Sequence, residues 1–343
     1  MESSDEPTHA HLRRLTFPPF VPNRWLRGGH RQTLAAAFGP RAPAPYSATP
    51  FDLRLDDGDT LVVHDDTPAG WTERRGLAML WHGLGGCHLS SYMTRLQHHL
   101  NGRGVRTWRV DQRGFGQSQD CHGLGHAGRS NDVQRVVVEA IERHPAAPLW
   151  LFGFSMGGNL VLRAAGQWAE QAPPQLRAVA AVAPPVDLQS CAERLRQGWS
   201  RIYDRKFVRR LMRALRDRQQ LPGSPLRDMD LSFTPRDLLE LDDRITAPLA
   251  GFSGAAEYYR IASAKPLLPR VAVPTMILAA ADDPVVPVDV YADVEASAEN
   301  VQLHVTSHGG HVGFFARRAG DDPDRCWLDW RLLDFWAAHN TAN

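Results

Sequence analysis

From residue 76 to residue 187 the chain repeats one unit, a short apolar run that ends in glycine or proline followed by an amphipathic stretch. The runs "GLAMLWHG", "VRTWRVD", "PLWLFGF" and "RAVAAVAPP" alternate with "SYMTRLQHHLNGRG", "SNDVQRVVVEAIERH" and "NLVLRAAGQWAEQ". The runs are short enough for buried strands, whereas the stretches between them space their apolar residues at helical intervals. Strands that each return through a helix lie parallel, and a parallel sheet needs helices on both faces. An α/β fold is therefore the expectation.

Elements on either side extend this unit. "FDLRL" and "TLVVHD" flank Asp56-Asp57-Gly58-Asp59 and read as a hairpin. Alternation resumes late in the chain with strand "PTMILAAADD", helix "DVYADVEASAE", strand "VQLHVT" and the closing helix "CWLDWRLLDFWAAH". Residues 188–266 interrupt it with helical patterns and no evident strand. Because the strands before and after continue one alternation, we expect a single domain over 51–343 with a helical insertion at 188–266. That insertion looks too arginine-rich to supply a core of its own. Residues 1–50, crowded from 17 onward with Pro, Arg and Ala, read as an irregular lead-in.

Composition excludes some functions. There are 39 basic and 38 acidic residues, a net charge of +1, so nothing global points to nucleic acid. Cys87, Cys121, Cys191 and Cys326 lie far apart, without the spacing of a disulfide framework or a zinc site. No segment has the roughly 18 consecutive apolar residues of a membrane span, and the polar N-terminus has no signal-like apolar region. The expectation is a soluble, cytoplasmic protein with no metal and no cofactor.

Gly153-Phe154-Ser155-Met156-Gly157 fits G-x-S-x-G after a strand and before a helix. A sharp strand-to-helix turn there exposes the serine hydroxyl above the sheet, and glycines relieve the crowding. Serine needs a base, and the base needs an orienting acid, in the chain order Ser, acid, His. After Ser155, "MILAAADDPVVP" offers Asp282 and Asp283 just past a strand, and Asp283 stands directly before the short apolar run ending in proline. Of the later histidines, His304 lies within a strand and His339 at the C-terminal fringe, leaving His308 and His311. His311 follows two glycines that let its ring approach the serine, so it is the expected base. The oxyanion would be held by the backbone N–H groups of Met156, next to the nucleophile, and Leu84, in the loop "HGLGG". His82 and the loop "DQRGFGQS" are expected to be structural.

Together, "FPPFVPNRWLRGGHRQTL", "HGLGG", "GFSMGGNLVLR", "PPVDLQSCAERL", "SRIYDRKF", "AAEYYRIAS", "DDPVVP" and "GGHVGFF" resemble the YheT-like branch of the α/β-hydrolase superfamily. Its eukaryotic relatives include phospholipid-cleaving hydrolases and yeast acyltransferases that form ethyl esters. The resemblance implies an α/β-hydrolase fold, a triad on Ser155, Asp283 and His311, and an acyl ester as substrate, lipid-like or of medium or short chain. The insertion at 188–266, placed between strands at the catalytic end of the sheet, is the expected helical lid. Acyl transfer to an alcohol is the alternative chemistry. The "DQRGFGQS" loop is closer to the general superfamily, and "FSGAAEYY" lacks an acidic residue before the tyrosines, which leaves substrate preference open.

Within the insertion, ten basic and two acidic residues lie between Arg194 and Arg218, while Phe207, Leu211 and Leu215 recur at helical spacing. The simpler reading is a lid helix whose apolar side closes the pocket and whose arginines are solvated. The sharper one adds peripheral contact with an anionic membrane or attraction of an anionic ester. Tyr258 and Tyr259 are candidate pocket or lid residues, with Phe207. A non-catalytic binding module is the competing class, and retention of all three triad residues argues against it.

Overall fold

In the computed structural model, which describes residues 12–38, 46–318 and 321–340, the lead-in is not wholly irregular. Helix α1 (Gly29–Phe38) forms there. The prolines that suggested irregular structure stop at Pro22 and resume at Pro40, so the window between them keeps every N–H a helix needs. The rest of the lead-in at 1–11 and 39–45 lies outside the described residues.

Gly58, at a φ of 89°, turns the chain between β1 (Thr49–Arg54) and β2 (Thr60–Asp66), which pair antiparallel as the expected hairpin. Then follow β3 (Leu77–Trp81), α2 (Ser91–Asn101), β4 (Arg106–Val110), α3 (Ser130–Arg143), β5 (Leu149–Phe154), α4 (Met156–Trp168) and β6 (Leu176–Val182). With β7 (Thr275–Ala280) and β8 (Val301–Thr306), the strands make one sheet in the order β1-β2-β4-β3-β5-β6-β7-β8. β2 meets β4 antiparallel, and every pairing from β4 to β8 is parallel.

The period-two alternation of strands sorts the core into two layers. Leu77, Met79 and Trp81 of β3 and Leu149 and Leu151 of β5 face Val133, Val136 and Val137 of α3 and Leu160 of α4. Ala78 and Leu80, with Trp150, Phe152 and Phe154, pack on the opposite face against Leu96 and Leu100 of α2. Burying each such leucine or valine contributes about 1.5–3 kcal/mol, which is why both faces of a central strand read as apolar.

Between β6 and β7 run α5 (Leu188–Leu195), α6 (Arg201–Gln219), α7 (Leu238–Leu241), α8 (Ala247–Leu249) and α9 (Ala255–Ala262), with a π-helical turn at Asp242–Thr246 joining α7 to α8. Asp187 caps α5 by accepting the Ser190 N–H at 3.1 Å. Contrary to expectation, this segment has a small core of its own. Val208, Met212 and Leu215 of α6 bury themselves with Leu226, Leu231, Leu241 and Ile245. Helical spacing keeps most of the arginines on the other side. The expected continuous helix "DVYADVEASAE" is also broken: Asp293, at a φ of 63°, separates a 3₁₀ turn from the short α10 (Val294–Ser297). Helix α11 (Trp327–Ala338) closes the second layer through Trp327, Leu328 and Leu332.

Candidate active site

The turn from β5 into α4 is made by one residue. Ser155 adopts a φ of 52° and ψ of −121°, a conformation that L-residues avoid and that costs of order 1–3 kcal/mol. Its neighbours explain how the chain tolerates this. A Cβ on Gly153 would sit 2.4 Å from the Gly157 carbonyl oxygen, and one on Gly157 would sit 2.3 Å from that of Trp81. Only glycine fits either position, so the serine is lifted out of the strand end and points over the sheet.

Loops from two later strands converge on it. Asp283 follows β7 and His311 follows β8. His311 Nε2 lies 2.8 Å from Ser155 Oγ, and His311 Nδ1 lies 2.8 Å from Asp283 Oδ2. Asp283 is buried, and its second oxygen accepts the N–H groups of Val285 at 2.7 Å and Val286 at 3.0 Å. With Asp283 ionised, the Nδ1 proton belongs to that bond and Nε2 is left to accept the serine proton. Asp282 turns away from this chain of bonds. It accepts the Gly310 N–H at 2.8 Å and stands 3.2 Å from His308 Nδ1, which is exposed.

Helix α1 braces both loops, a role the sequence reading did not assign to it. A Cβ on Gly29 would lie 1.7 Å from the Asp282 carbonyl oxygen, and one on Gly310 would lie 2.3 Å from that of Gly29. Thr33 Oγ1 accepts the backbone N–H of His311 at 2.9 Å. Gln32, fully buried, exchanges hydrogen bonds with both backbone groups of Phe315. His30 Nδ1 meets the Tyr203 hydroxyl of α6 at 3.0 Å, its ring stacked on that tyrosine. The signal was present in "RGGHRQTL", since two consecutive glycines opening a helix mark a close backbone approach.

Leu84 and Met156 flank Ser155 on the cavity wall. Neither N–H has a protein acceptor among the described residues, and that of Met156 heads the first turn of α4. A Cβ on Gly83 would touch Ser155 Cβ at 3.0 Å, so the "HGLGG" loop comes within contact of the serine. His82 is fully buried and burial lowers it to about 4. Its Nδ1 faces the Gly83 carbonyl at 2.8 Å and its Nε2 accepts the Gln112 N–H at 3.1 Å, so it fixes this loop as a neutral ring.

The cavity above Ser155 is mostly apolar. Leu188 and Ala192 of α5, Phe207 and Leu211 of α6, and Val285 line it. Tyr258 and Tyr259 are buried in the same wall; Tyr258 Oη accepts the Ala127 N–H at 3.0 Å and Tyr259 donates to Asp242 Oδ2 at 2.8 Å. Arg113, His126, Arg218, Asp242 and Thr246 also line the cavity, a role the sequence reading assigned to none of them. Burial lowers His126 to about 3 and raises Asp242 to about 6, the latter opposed by hydrogen bonds from Thr246 and Tyr259. Burial works against the Arg113 charge, yet its bonds to Asp132 and Asp57 raise it, and these ties anchor the "DQRGFGQS" loop.

Among the described residues, one other cluster has the residue types of a metal site. His64 Nε2 and His88 Nδ1 both face Asp111 Oδ2, at 3.1 and 2.8 Å. The two rings, however, are stacked 3.4 Å apart and within 16° of parallel, so no ion can lie in the plane of both. The carboxylate also accepts the N–H groups of His88 and Gln117. It acts as a hub for the loop.

Comparison with known proteins agrees with this architecture. The family profile described as alpha/beta hydrolase fold matches residues 79–317. YheT of Escherichia coli, which is named an esterase, is 30% identical over 328 residues, covering 94% of each chain. A monoacylglycerol lipase of Saccharomyces cerevisiae is 26% identical over 288 residues, 80% of this chain and 63% of that one. Among solved structures, the esterase Pf2001 of Pyrococcus furiosus superposes with a TM-score of 0.57 at 15% identity, over 88% of this chain and 99% of that one.

Proposed function

The chain belongs to the α/β-hydrolase family, in its YheT-like branch, and on that premise we propose that it is a serine ester hydrolase working through Ser155, His311 and Asp283. The observation that carries this reading is the continuous chain of hydrogen bonds from Ser155 Oγ through His311 to Asp283. His311 Nε2 takes the serine proton as Oγ attacks the ester carbonyl carbon. The oxyanion then meets the free N–H groups of Leu84 and Met156. As the carbon–oxygen bond to the alcohol breaks, His311 returns the proton to the departing alcohol, leaving an acyl group on Ser155. Water, deprotonated by the same histidine, releases the acid.

An apolar wall from α5 and α6 supports an acyl chain as the part of the substrate that is buried, and the yeast relative is named for a lipid ester. In this reading 188–266 is the lid. Hydrolysis of p-nitrophenyl esters from acetate to decanoate tests it: kcat/KM is expected to rise with chain length, and no turnover of any member would overturn the reading.

Positioning by α1 predicts a smaller effect. Thr33→Val removes the acceptor of the His311 N–H without changing side-chain volume much, and kcat is expected to fall about 10-fold with KM nearly unchanged. Equal changes in both constants would indicate general destabilisation instead.

Contact with an anionic membrane is part of the same proposal. Trp199 is 75% exposed and Ile202 52%, beside the exposed Arg201, Arg205 and Lys206. Aromatic and basic residues at one rim are the composition of an interfacial contact. Co-sedimentation with vesicles containing anionic lipid is expected to exceed that with neutral vesicles and to fall in Trp199→Ser/Ile202→Ser. Equal weak binding to both vesicle types would sink the idea. No helix among the described residues is long and apolar enough to cross a membrane. A cytoplasmic setting completes the reading, supported by the buried thiols of Cys121, Cys191 and Cys326.

A further inference from the structure

Helix α6 carries eight basic residues, and seven of them are exposed. The exception is Arg218, only 5% exposed, which lines the same cavity as Ser155. Helical spacing places it there: Phe207, Leu211, Ala214, Leu215 and Arg218 form one face of α6, and all five line the cavity.

Its partners are incomplete. Nη2 donates to the carbonyl oxygens of His122 and Gly123, while the buried Nε has no hydrogen-bond partner. No carboxylate among the described residues forms an ion pair with it, in contrast to Arg113 nearby, which has three. The carboxylate that acts on it through space is Asp59, whose oxygens are already engaged by Arg113 and by the N–H groups of His122 and Gly123. Burial lowers Arg218 from its ordinary value, as expected of a cation stripped of water without a counter-charge. Arg163 also has an orphaned Nε, so an orphan by itself indicates no ligand. Arg218 differs because the residue also lines the cavity that contains the candidate nucleophile and has no carboxylate partner there among the described residues.

Resting on the ester-hydrolase reading, we propose that Arg218 is a specificity residue that receives an anionic group, carboxylate or phosphate, carried by the ester substrate at a distance from the scissile bond. An apolar cavity without such a cation rejects a charged group, because the ion loses its hydration and gains nothing. With the guanidinium in place, a charge-assisted hydrogen bond replaces the lost water on both partners. The exposed arginines of α6 attract anions generally; Arg218 would sort them after entry.

Two matched pairs test this and separate the two sources of charge. For an anion on the acyl half, the p-nitrophenyl monoester of hexanedioic acid is compared with p-nitrophenyl hexanoate. For an anion on the alcohol half, 1-acylglycerol 3-phosphate is compared with 1-acylglycerol of the same chain. In one pair the wild type is expected to favour the charged member, or at least to match the neutral one, in kcat/KM. Arg218→Met should lower that charged-to-neutral ratio about 10-fold or more, and Arg218→Lys should restore part of it. The ratio is taken within each variant, so a general loss of activity or folded protein cancels. Rejection of both charged members by the wild type, by 10-fold or more, overturns the inference without any variant. So does an unchanged ratio in Arg218→Met. In either case, turnover of the neutral members leaves the ester-hydrolase reading standing, whereas failure to cleave any of the four overturns both.

Discussion

Ser155→Ala is expected to abolish labelling by a fluorophosphonate probe and to lower kcat on a p-nitrophenyl ester by about 10⁴- to 10⁶-fold. The probe phosphonylates only a serine whose proton can be removed, so labelling reports the nucleophile and its base together. His311→Ala should remove most labelling as well, because Nε2 at 2.8 Å is the one base in hydrogen-bond reach of Oγ among the described residues. His30→Ala is the informative control. His30 stands in the other Gly-Gly-His of the chain, but its Nδ1 is engaged by Tyr203 on α6. Losing it loosens a contact between two helices and should spare most of the labelling. Equal labelling of wild type and Ser155→Ala would remove the nucleophile from the mechanism. Loss of labelling in His30→Ala to the level of His311→Ala would place the base on the wrong loop.

The sheet and the turn at Ser155 were legible because each rests on local chemistry. Apolar runs such as "LAMLW" are buried on both faces, so they contain no polar residue to blur their boundaries. Gly153 is required by the Gly157 backbone four residues on, within the motif itself, while Gly157 is required by the backbone of Trp81 at the end of the neighbouring strand, a contact the motif encodes although its partner is distant in the chain. Helix α1 was not legible to the same degree. Its function lies in contacts to residues more than 250 positions away, such as Thr33 to His311, and prolines on both sides masked a helix that tertiary packing stabilises. The small core of the insertion was hidden by charge. The arginine count from 194 to 218 spoke against a core there, although the apolar side of the helix was recognised, and Val208, Met212 and Leu215 on that side bury with Leu226, Leu231, Leu241 and Ile245. Arg218 was hidden by the same count, although it lies three residues beyond Leu215 and so on the face already recognised as apolar.

Asp283→Asn is expected to lower kcat by about 10⁴-fold, while Asp282→Asn costs less than about 10-fold. The two aspartates are adjacent in sequence, each faces a histidine of the same loop, and only geometry separates them. At Asp283 the histidine partner is the one that touches Ser155. An asparagine there can donate its amide N–H to Nδ1, which favours the tautomer with the proton on Nε2, the nitrogen that has to accept the serine proton. The imidazolium formed during attack also loses the buried carboxylate that offsets its charge. At Asp282 an asparagine keeps an oxygen for the Gly310 N–H, now 2.8 Å away, and gives up only a contact with the exposed His308. The backbone of residue 282, against which Gly29 packs, is untouched by the substitution. Reversal of the order, with Asp282→Asn the more damaging, would transfer the orienting role to the pair Asp282 and His308 and require the loop after β8 to rotate so that His308 reaches Ser155. Equal and small effects would mean that His311 is held by Thr33 and the α1 contacts alone, with no carboxylate needed to orient it.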